Sequence, residues 1–442
     1  MVGVRLGVVL AVTVGASVGA ADWPTWRGPL STGVTNEAGL PVTWSETENV
    51  AWTAPLAGLG VSTPIVSGAR IFVTSQLGAA ERRAGNHPRL VQGGDAAAAG
   101  ERPLEGNASD GGLIFVVEAF NRADGKRLWQ YRLDAQGPFA GVHDKHNLAS
   151  PSPVTDGTMV YAWFGTGQII ALDMNGKVVW QRHLGREISP FEINWGHTSS
   201  PALYRDLLIL LCDHDPASYI LAVDKKTGKD RWKADRGKAR NSYSTPLIVD
   251  GPSGPEMIVN SSERVDGYDP LTGKHLWHVG TTNRFPIPSP VVHEGVVYMS
   301  RGYRSSPYLA LRPGGRGDIT SSHVNWAQGS GAPYVSSLVH DRGLIYMAND
   351  VGVLTAAEAK TGTKVWQERV AGIFSASPVA ADGKIYFVSE TGETFVIQGG
   401  STPKVIARNR IAGRALASPA VSNGQIFLRT DQKLYAIGKR TG

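Results

Sequence analysis

A single cysteine, Cys212, stands in 442 residues, so no disulfide can form within the chain and its stability must come from packing and hydrogen bonds. Cys212 follows the apolar run Leu207 to Leu211 and is expected as a buried small hydrophobe, with a reactive thiol or ligand as the alternative. Charge is also sparse: charged residues make up 19% of the chain, the formal balance of +6 is dilute, and basic residues alternate with acidic ones rather than forming runs. That pattern argues against nucleic acid as a partner. Long apolar runs are missing after the first twenty residues, which excludes a helical membrane span there. The first twenty are expected to be a signal peptide. Arg5 lies in a short n-region, Leu6 to Val18 is apolar, and Val18-Gly19-Ala20 supplies small residues for cleavage before Ala21. The mature chain is then expected in the periplasm or outside the cell, and no Cys is available there for a lipid anchor.

What the chain has in quantity is turns, from 53 Gly and 26 Pro, and they recur. Thr63-Pro64, Ser152-Pro153, Ser200-Pro201, Thr245-Pro246, Ser289-Pro290, Ser336-Ser337, Ser377-Pro378 and Ser418-Pro419 mark eight units. Their intervals are 89, 48, 45, 44, 47, 41 and 41. A period of roughly 40 to 50 with several short strands per unit predicts propeller blades. The second half of a unit reads Ala222, Asp224, Thr227, Gly228, Lys229, Trp232, repeated at Asp269, Thr272, Gly273, Lys274, Trp277 and at Glu358, Thr361, Gly362, Trp366. Asn121, Gly125, Trp129 and Asp173, Gly176, Trp180 keep the same Gly-to-Trp interval. A tight hairpin with Gly at positive φ would deliver each Trp at one phase of the next strand. Burying such a ring removes about 150 to 250 Å² from water, so Trp129, Trp180, Trp232, Trp277 and Trp366 are expected to pack blade against blade.

This Ala-x-Asp-x-x-Thr-Gly-x-x-x-Trp pattern resembles the tryptophan-docking repeat of the pyrroloquinoline-quinone (PQQ) type propellers. That family includes quinoprotein alcohol dehydrogenases and the cofactor-free propeller subunit of the outer-membrane β-barrel assembly machinery, which is typically lipid-anchored. The resemblance runs from about Asp22 to the C-terminus and implies one PQQ-like propeller domain over 21–442. Quinoprotein relatives commonly stack a vicinal disulfide on the quinone, and cytochrome-fused ones carry Cys-x-x-Cys-His. One cysteine can build neither.

The expected fold is all-β, an eight-bladed propeller of four-stranded antiparallel blades. In the second unit the strands are expected at Ser150–Val154, Val160–Phe164, Gln168–Asp173 and Val178–Leu184. The last unit has only three strands, whereas Asn49 to Leu56 reads as an outer strand with nothing before it. Pairing the two closes the ring without an open edge. Seven blades is the alternative, with the units at Ser336 and Ser377 the ones in doubt. The long first interval implies a loop insertion at about 76–112, overhanging one face as a lid. Arg316-Gly317-Asp318 reads as a turn in a divergent blade.

Candidate chemistry falls in the loops that enter the blades. His143 and His146, in Gly141 to Asn147, and His197, after Asn194-Trp195, are expected to converge with His214 as ligands for a transition metal. Asp144, His146 and Asp213 are the candidate catalytic residues. Hydrogen bonding to loop backbones is the competing reading of all of them. Asn147, Asn194, Trp195, Arg284, Arg301, Tyr303 and Arg304 are expected to line a polar cup for an anionic or hydroxyl-rich ligand, with Asp350, Glu390 and Asp431 at comparable loop positions. Two function classes follow. One is an exported, monomeric scaffold that binds an envelope protein, a peptide or a saccharide. The other is an enzyme: a quinoprotein alcohol or sugar dehydrogenase using PQQ and Ca²⁺, for which the resemblance implies residue types such as Asp144, Asn147, Asn194 and Asp213, or a metal-dependent enzyme using the His cluster.

Overall fold

Runs of buried aliphatic residues between Gly turns leave little choice but sheet, and the computed structural model describes residues 22–78 and 112–440, apart from 138, 140, 194, 239–240, 263, 282 and 304–306. The expected signal peptide and most of the expected 76–112 insertion lie outside the described residues; Gln76 and Leu77 belong to the strand Arg70–Leu77. Only two one-turn helices interrupt the described strands, Leu184–Glu187 and Thr320–His323. Eight separate antiparallel sheets form. The second comprises Val154–Thr155, Met159–Trp163, Gln168–Asp173 and Val178–His183, so the expected innermost strand is shorter and starts later than its sequence suggested.

Burial follows distance from the axis. The second strands are largely buried, Leu207–Cys212 throughout, because each lies between two neighbouring sheets. Outer strands such as Arg127–Asp134 are half-exposed rim. All the inner hairpins but that of the second blade are two-residue turns, as where His293 pairs Val296 across Glu294 and Gly295, whose φ values are 47° and 73°. Positive φ at both positions is what matches a hairpin to the twist of its strands.

The ring closes as expected. Val50–Pro55 pairs antiparallel with Lys433–Ile437, with Trp52 opposite Ala436, giving the eighth blade its outer strand. The doubtful units both form complete blades. Two blades exceed four strands. Val34–Thr35 adds in parallel to Ala380–Ala381, and Gly317–Asp318 adds in parallel to Trp277–His278, so the Arg-Gly-Asp triplet expected as a turn is partly an edge strand.

Tryptophan docking holds the blades together. The Trp129 indole donates to Met174 O at 2.9 Å, Trp180 to Lys225 O at 2.9 Å, Trp232 to Pro270 O at 3.2 Å and Trp366 to Gly400 O at 3.0 Å. For the first three the glycine of the next hairpin lies flat under the ring: a Cβ on Gly228 would sit 2.8 Å from Trp180. Trp52 and Trp326 dock in the same way, onto Arg122 O and Ala359 O, although the repeat pattern did not single them out. Trp277 departs from its expected role. The next blade replaces the Thr-Gly hairpin with residues 312–323, and the fully buried Trp277 donates to Glu256 Oε2 at 2.6 Å and covers Gly267 of its own sheet.

A segment ahead of the first blade crosses one end of the ring. Trp23 bridges Val66, Pro24 O accepts from Thr155 N, and Arg27 donates to Leu338 O and Pro378 O, linking blades one and two to blades six and seven. Trp26 thereby lies on the axis as a plug.

Candidate functional site at the propeller axis

Each blade is entered by a loop that descends to the Ser/Thr-Pro position, and these loops enclose a cavity of about 170 Å³ floored by Trp26. Val61, His143, Trp195 and Tyr243 contribute from the first four blades. Ile287, Tyr334, Ser375 and Leu416 contribute from the other four, which places the cavity on the axis. Below them runs a girdle. The backbone N–H of Thr63 donates to Ser152 Oγ, Ser152 to Ser200, Ser200 to Thr245 and Thr245 to Ser289, at 2.7–3.0 Å. Ser289 donates to Ser337, Ser337 to Ser377 and Ser377 to Ser418, at 2.9–3.0 Å. The member from the sixth blade is Ser337 rather than the expected Ser336, a shift of one residue. The repeated hydroxyl is thus a joint between blades, satisfying an N–H that the following Pro leaves at the end of a strand.

The mouth is aromatic. Trp195, Phe285, Tyr303 and Tyr334 form a chain with ring centroids 5.5, 5.7 and 5.5 Å apart. Trp195 and Phe285 take φ of 69° and 51°, conformations that bulky side chains adopt only where surroundings impose them. Arg284, beside them, is exposed.

His143 and His146 line the cavity. His143 Nδ1 accepts from Lys145 N at 3.1 Å, which leaves the proton on Nε2. Burial drops the His146 pKa to about 4, so its ring is neutral at pH 7. His197 and His214 lie behind them in the wall, 0% exposed, with His197 4.3 Å from the Trp163 ring and His214 4.3 Å from Phe191. Burial and the neighbouring His214 and His146 hold His197 down at about 3. The four imidazoles do share one sector. They do not assemble the expected metal site, however, for among the described residues no three His, Cys, Asp or Glu side chains are placed to hold an ion.

Other expectations are corrected by burial. Asp213, a candidate base, is 0% exposed and clamped by Arg236 through Nε at 2.7 Å and Nη2 at 3.1 Å. Arg301, expected in the cup, is 1% exposed, with its guanidinium committed to Asn260 Oδ1, Ser261 O and Thr281 Oγ1. Asn147 fixes the loop path, donating to Leu59 O and accepting from Ala149 N, each at 3.0 Å. Asp144 is half-buried and outside the cavity lining. Asn194 and Arg304 lie outside the described residues.

What pairwise reading of loops missed is a contact across the ring. Lys145 Nζ meets Glu390 Oε1 at 2.9 Å, with both side chains buried, and Ser375 Oγ donates to the same oxygen. Nearby, Asp350 is 3% exposed and accepts from Tyr334 N at 3.0 Å. Burial raises its pKa to about 7, against a pull downward from Lys145.

Residues 114–368 and 350–442, well over half of the chain, match the family described as outer membrane protein assembly factor BamB. The chain belongs to this family. Among curated relatives, this BamB-family chain is 22% identical to the tetrathionate hydrolase of Acidithiobacillus ferrooxidans over 78% of its own length and 66% of that protein's. It is 29% identical to BamB of Yersinia pestis over 57% of its length and 61% of the other. It therefore spans just under two thirds of each. Among solved structures, the quinohemoprotein alcohol dehydrogenase of Comamonas testosteroni superposes with a TM-score of 0.66 at 13% identity, covering 97% of this chain and 82% of that one, a likeness of fold alone.

PQQ with Ca²⁺ needs a carboxylate and an amide for the ion and cations for the quinone's acid groups. The described cavity lining contains no Asp, Glu, Asn, Gln or Arg, and its one ammonium, Lys145, is paired with Glu390. The described residues do not fit that cofactor.

Proposed function

We propose that this BamB-family propeller is an exported scaffold of the cell envelope that holds a protein partner and works without a quinone. The observation that carries this reading is the axial lining, which offers hydroxyls, aromatic rings and neutral imidazole where a quinoprotein needs a Ca²⁺ donor set. Family membership supports the envelope setting, since the family is named for assembly of outer-membrane proteins. Among the described residues no helix is long and apolar enough to cross a membrane. Two measurements test the proposal. Native mass spectrometry of the exported chain, produced with PQQ and Ca²⁺ supplied, is expected to give the bare mass; a stoichiometric quinone adduct overturns the cofactor-free part. Removing the chain from its own host is expected to lower the level of outer-membrane β-barrel proteins, and unchanged levels overturn the scaffold part.

A further inference from the structure

The girdle that joins the blades also determines what the axis can bind. Five of its hydroxyls, on Ser152, Ser200, Thr245, Ser377 and Ser418, line the cavity while accepting a backbone N–H. An oxygen engaged in this way offers its own O–H as a donor, and no described protein group accepts from any of the five. Accepting an amide proton also polarises the O–H and makes it a better donor. The girdle has seven links for eight blades, and the missing one is informative. Thr63 is among the cavity-lining residues and is 1% exposed, and its Oγ1, which has almost no accessible surface of its own, has no hydrogen-bond partner. An unmatched buried hydroxyl is costly unless a ligand or water completes it.

Three arginines are buried in the surrounding walls. Arg27, Arg301 and Arg429 are each at most 2% exposed, and each is bonded to carbonyls, hydroxyls or an amide rather than to a carboxylate. Burial lowers Arg27 to about 9, Arg301 to about 9 against an upward pull from Asp266, and Arg429 to about 10 against an upward pull from Glu118 and Asp431, so all three are cationic at neutral pH. Arg27 follows the floor residue Trp26, and Arg429 Nη1 donates to Ser62 O, one residue from Thr63. The opposing groups are Glu390, which Lys145 pairs, Asp350, whose pKa burial raises to about 7, Asp266 near Arg301, and Glu118 and Asp431 near Arg429. Fixed buried cations within low-dielectric walls favour an anion on the axis.

We propose that the axial cavity is a binding site for a small oxyanion, held by the O–H groups of Thr63, Ser152, Ser200, Thr245, Ser377 and Ser418 in the field of the buried arginines. This goes beyond the scaffold reading and stands or falls separately from it. The class is defined by acceptor oxygens and negative charge, so sulfate, phosphate and acetate are suitable probes and neutral glucose is the control. Thr63→Val is the discriminating variant, because Thr63 Oγ1 bonds nothing in the protein and its loss removes no internal hydrogen bond. Titration calorimetry of the full chain at low ionic strength is expected to show one site for sulfate or phosphate, weakened about tenfold to a hundredfold in Thr63→Val, with an unchanged melting temperature. No binding of any of the three anions by the unaltered chain overturns the proposal. So does equal binding by Thr63→Val, which would assign the heat to surface lysines and arginines. Selenate soaked into crystals of the unaltered chain gives a check independent of any variant, since its anomalous signal is expected on the axis beside Thr63 and a signal elsewhere refutes the site.

Discussion

Replacing Asp350 with Asn tests the electrostatics of the mouth directly. The carboxyl is 3% exposed, and burial raises its pKa from 3.8 to about 7. The folded chain therefore holds a proton that the unfolded chain releases, and between about pH 4 and pH 7 folding loses stability as pH rises. A shift of about 3 units at 1.36 kcal/mol each gives on the order of 4 kcal/mol as an upper bound. Asn mimics the neutral acid and can keep the bond from Tyr334 N, so Asp350→Asn should match the parent near pH 4 and gain on it up to pH 8. The histidines act in the opposite sense. His146 and His340 near 4 and His197 near 3 lie below the ordinary 6.5, so their contribution is complete above 6.5 and is lost as pH falls. Because they are common to both proteins, they cancel in the difference. Urea midpoints at pH 4, 6 and 8 read that difference. A constant gap across pH refutes the reasoning, and a gap that moves against Asn as pH rises would mean Lys145 holds Asp350 ionised.

Three further outcomes follow from contacts already described. Trp180→Ala removes a docked ring and its bond to Lys225 O, and is expected to lower stability by about 3 kcal/mol in denaturant titration, whereas an exposed rim change such as Val179→Ala should stay within about 0.5. Ser200→Ala leaves the Ser152 N–H without an acceptor and should cost about 1–3 kcal/mol, measured the same way. Cys212 is 0% exposed and burial pushes its thiol far up, so a thiol reagent should label it only after unfolding; labelling of the native chain contradicts the packing.

The ring was legible in the sequence because its determinants are local and repeated. A Thr-Gly hairpin and a Trp four residues later report one blade contact wherever they recur, and Trp129, Trp180, Trp232 and Trp366 behave accordingly. The failures share a cause. Trp277 precedes, and Trp326 follows within the same blade, the segment 312–323 that replaces the hairpin, so local spacing no longer reports which ring meets which glycine. Ser336 and Ser337 are adjacent hydroxyls, and only a partner 48 residues away, Ser289, tells them apart. The cup residues were harder still. Arg301 and Asp213 look like solvent-facing chemistry in a linear reading, yet each sits where a loop turns inward and is consumed by neighbours it meets only in the closed ring.

That last contrast explains how a ring of this kind can bind with its joints. A charged side chain at a blade end is either neutralised by a second charge, as Arg236 is by Asp213 and Lys145 by Glu390, or left bonded to neutral groups, as Arg27, Arg301 and Arg429 are. The first kind fixes geometry and leaves no net field. The second kind also holds the ring through its hydrogen bonds but leaves a positive potential inside, at a desolvation cost that an anion on the axis would offset. If no anion binds there, the three guanidiniums are purely structural, and replacing Arg429 with Met should then cost no more in sulfate than at low salt. If one binds, sulfate should widen the gap, because it stabilises the parent and has less to hold in the variant.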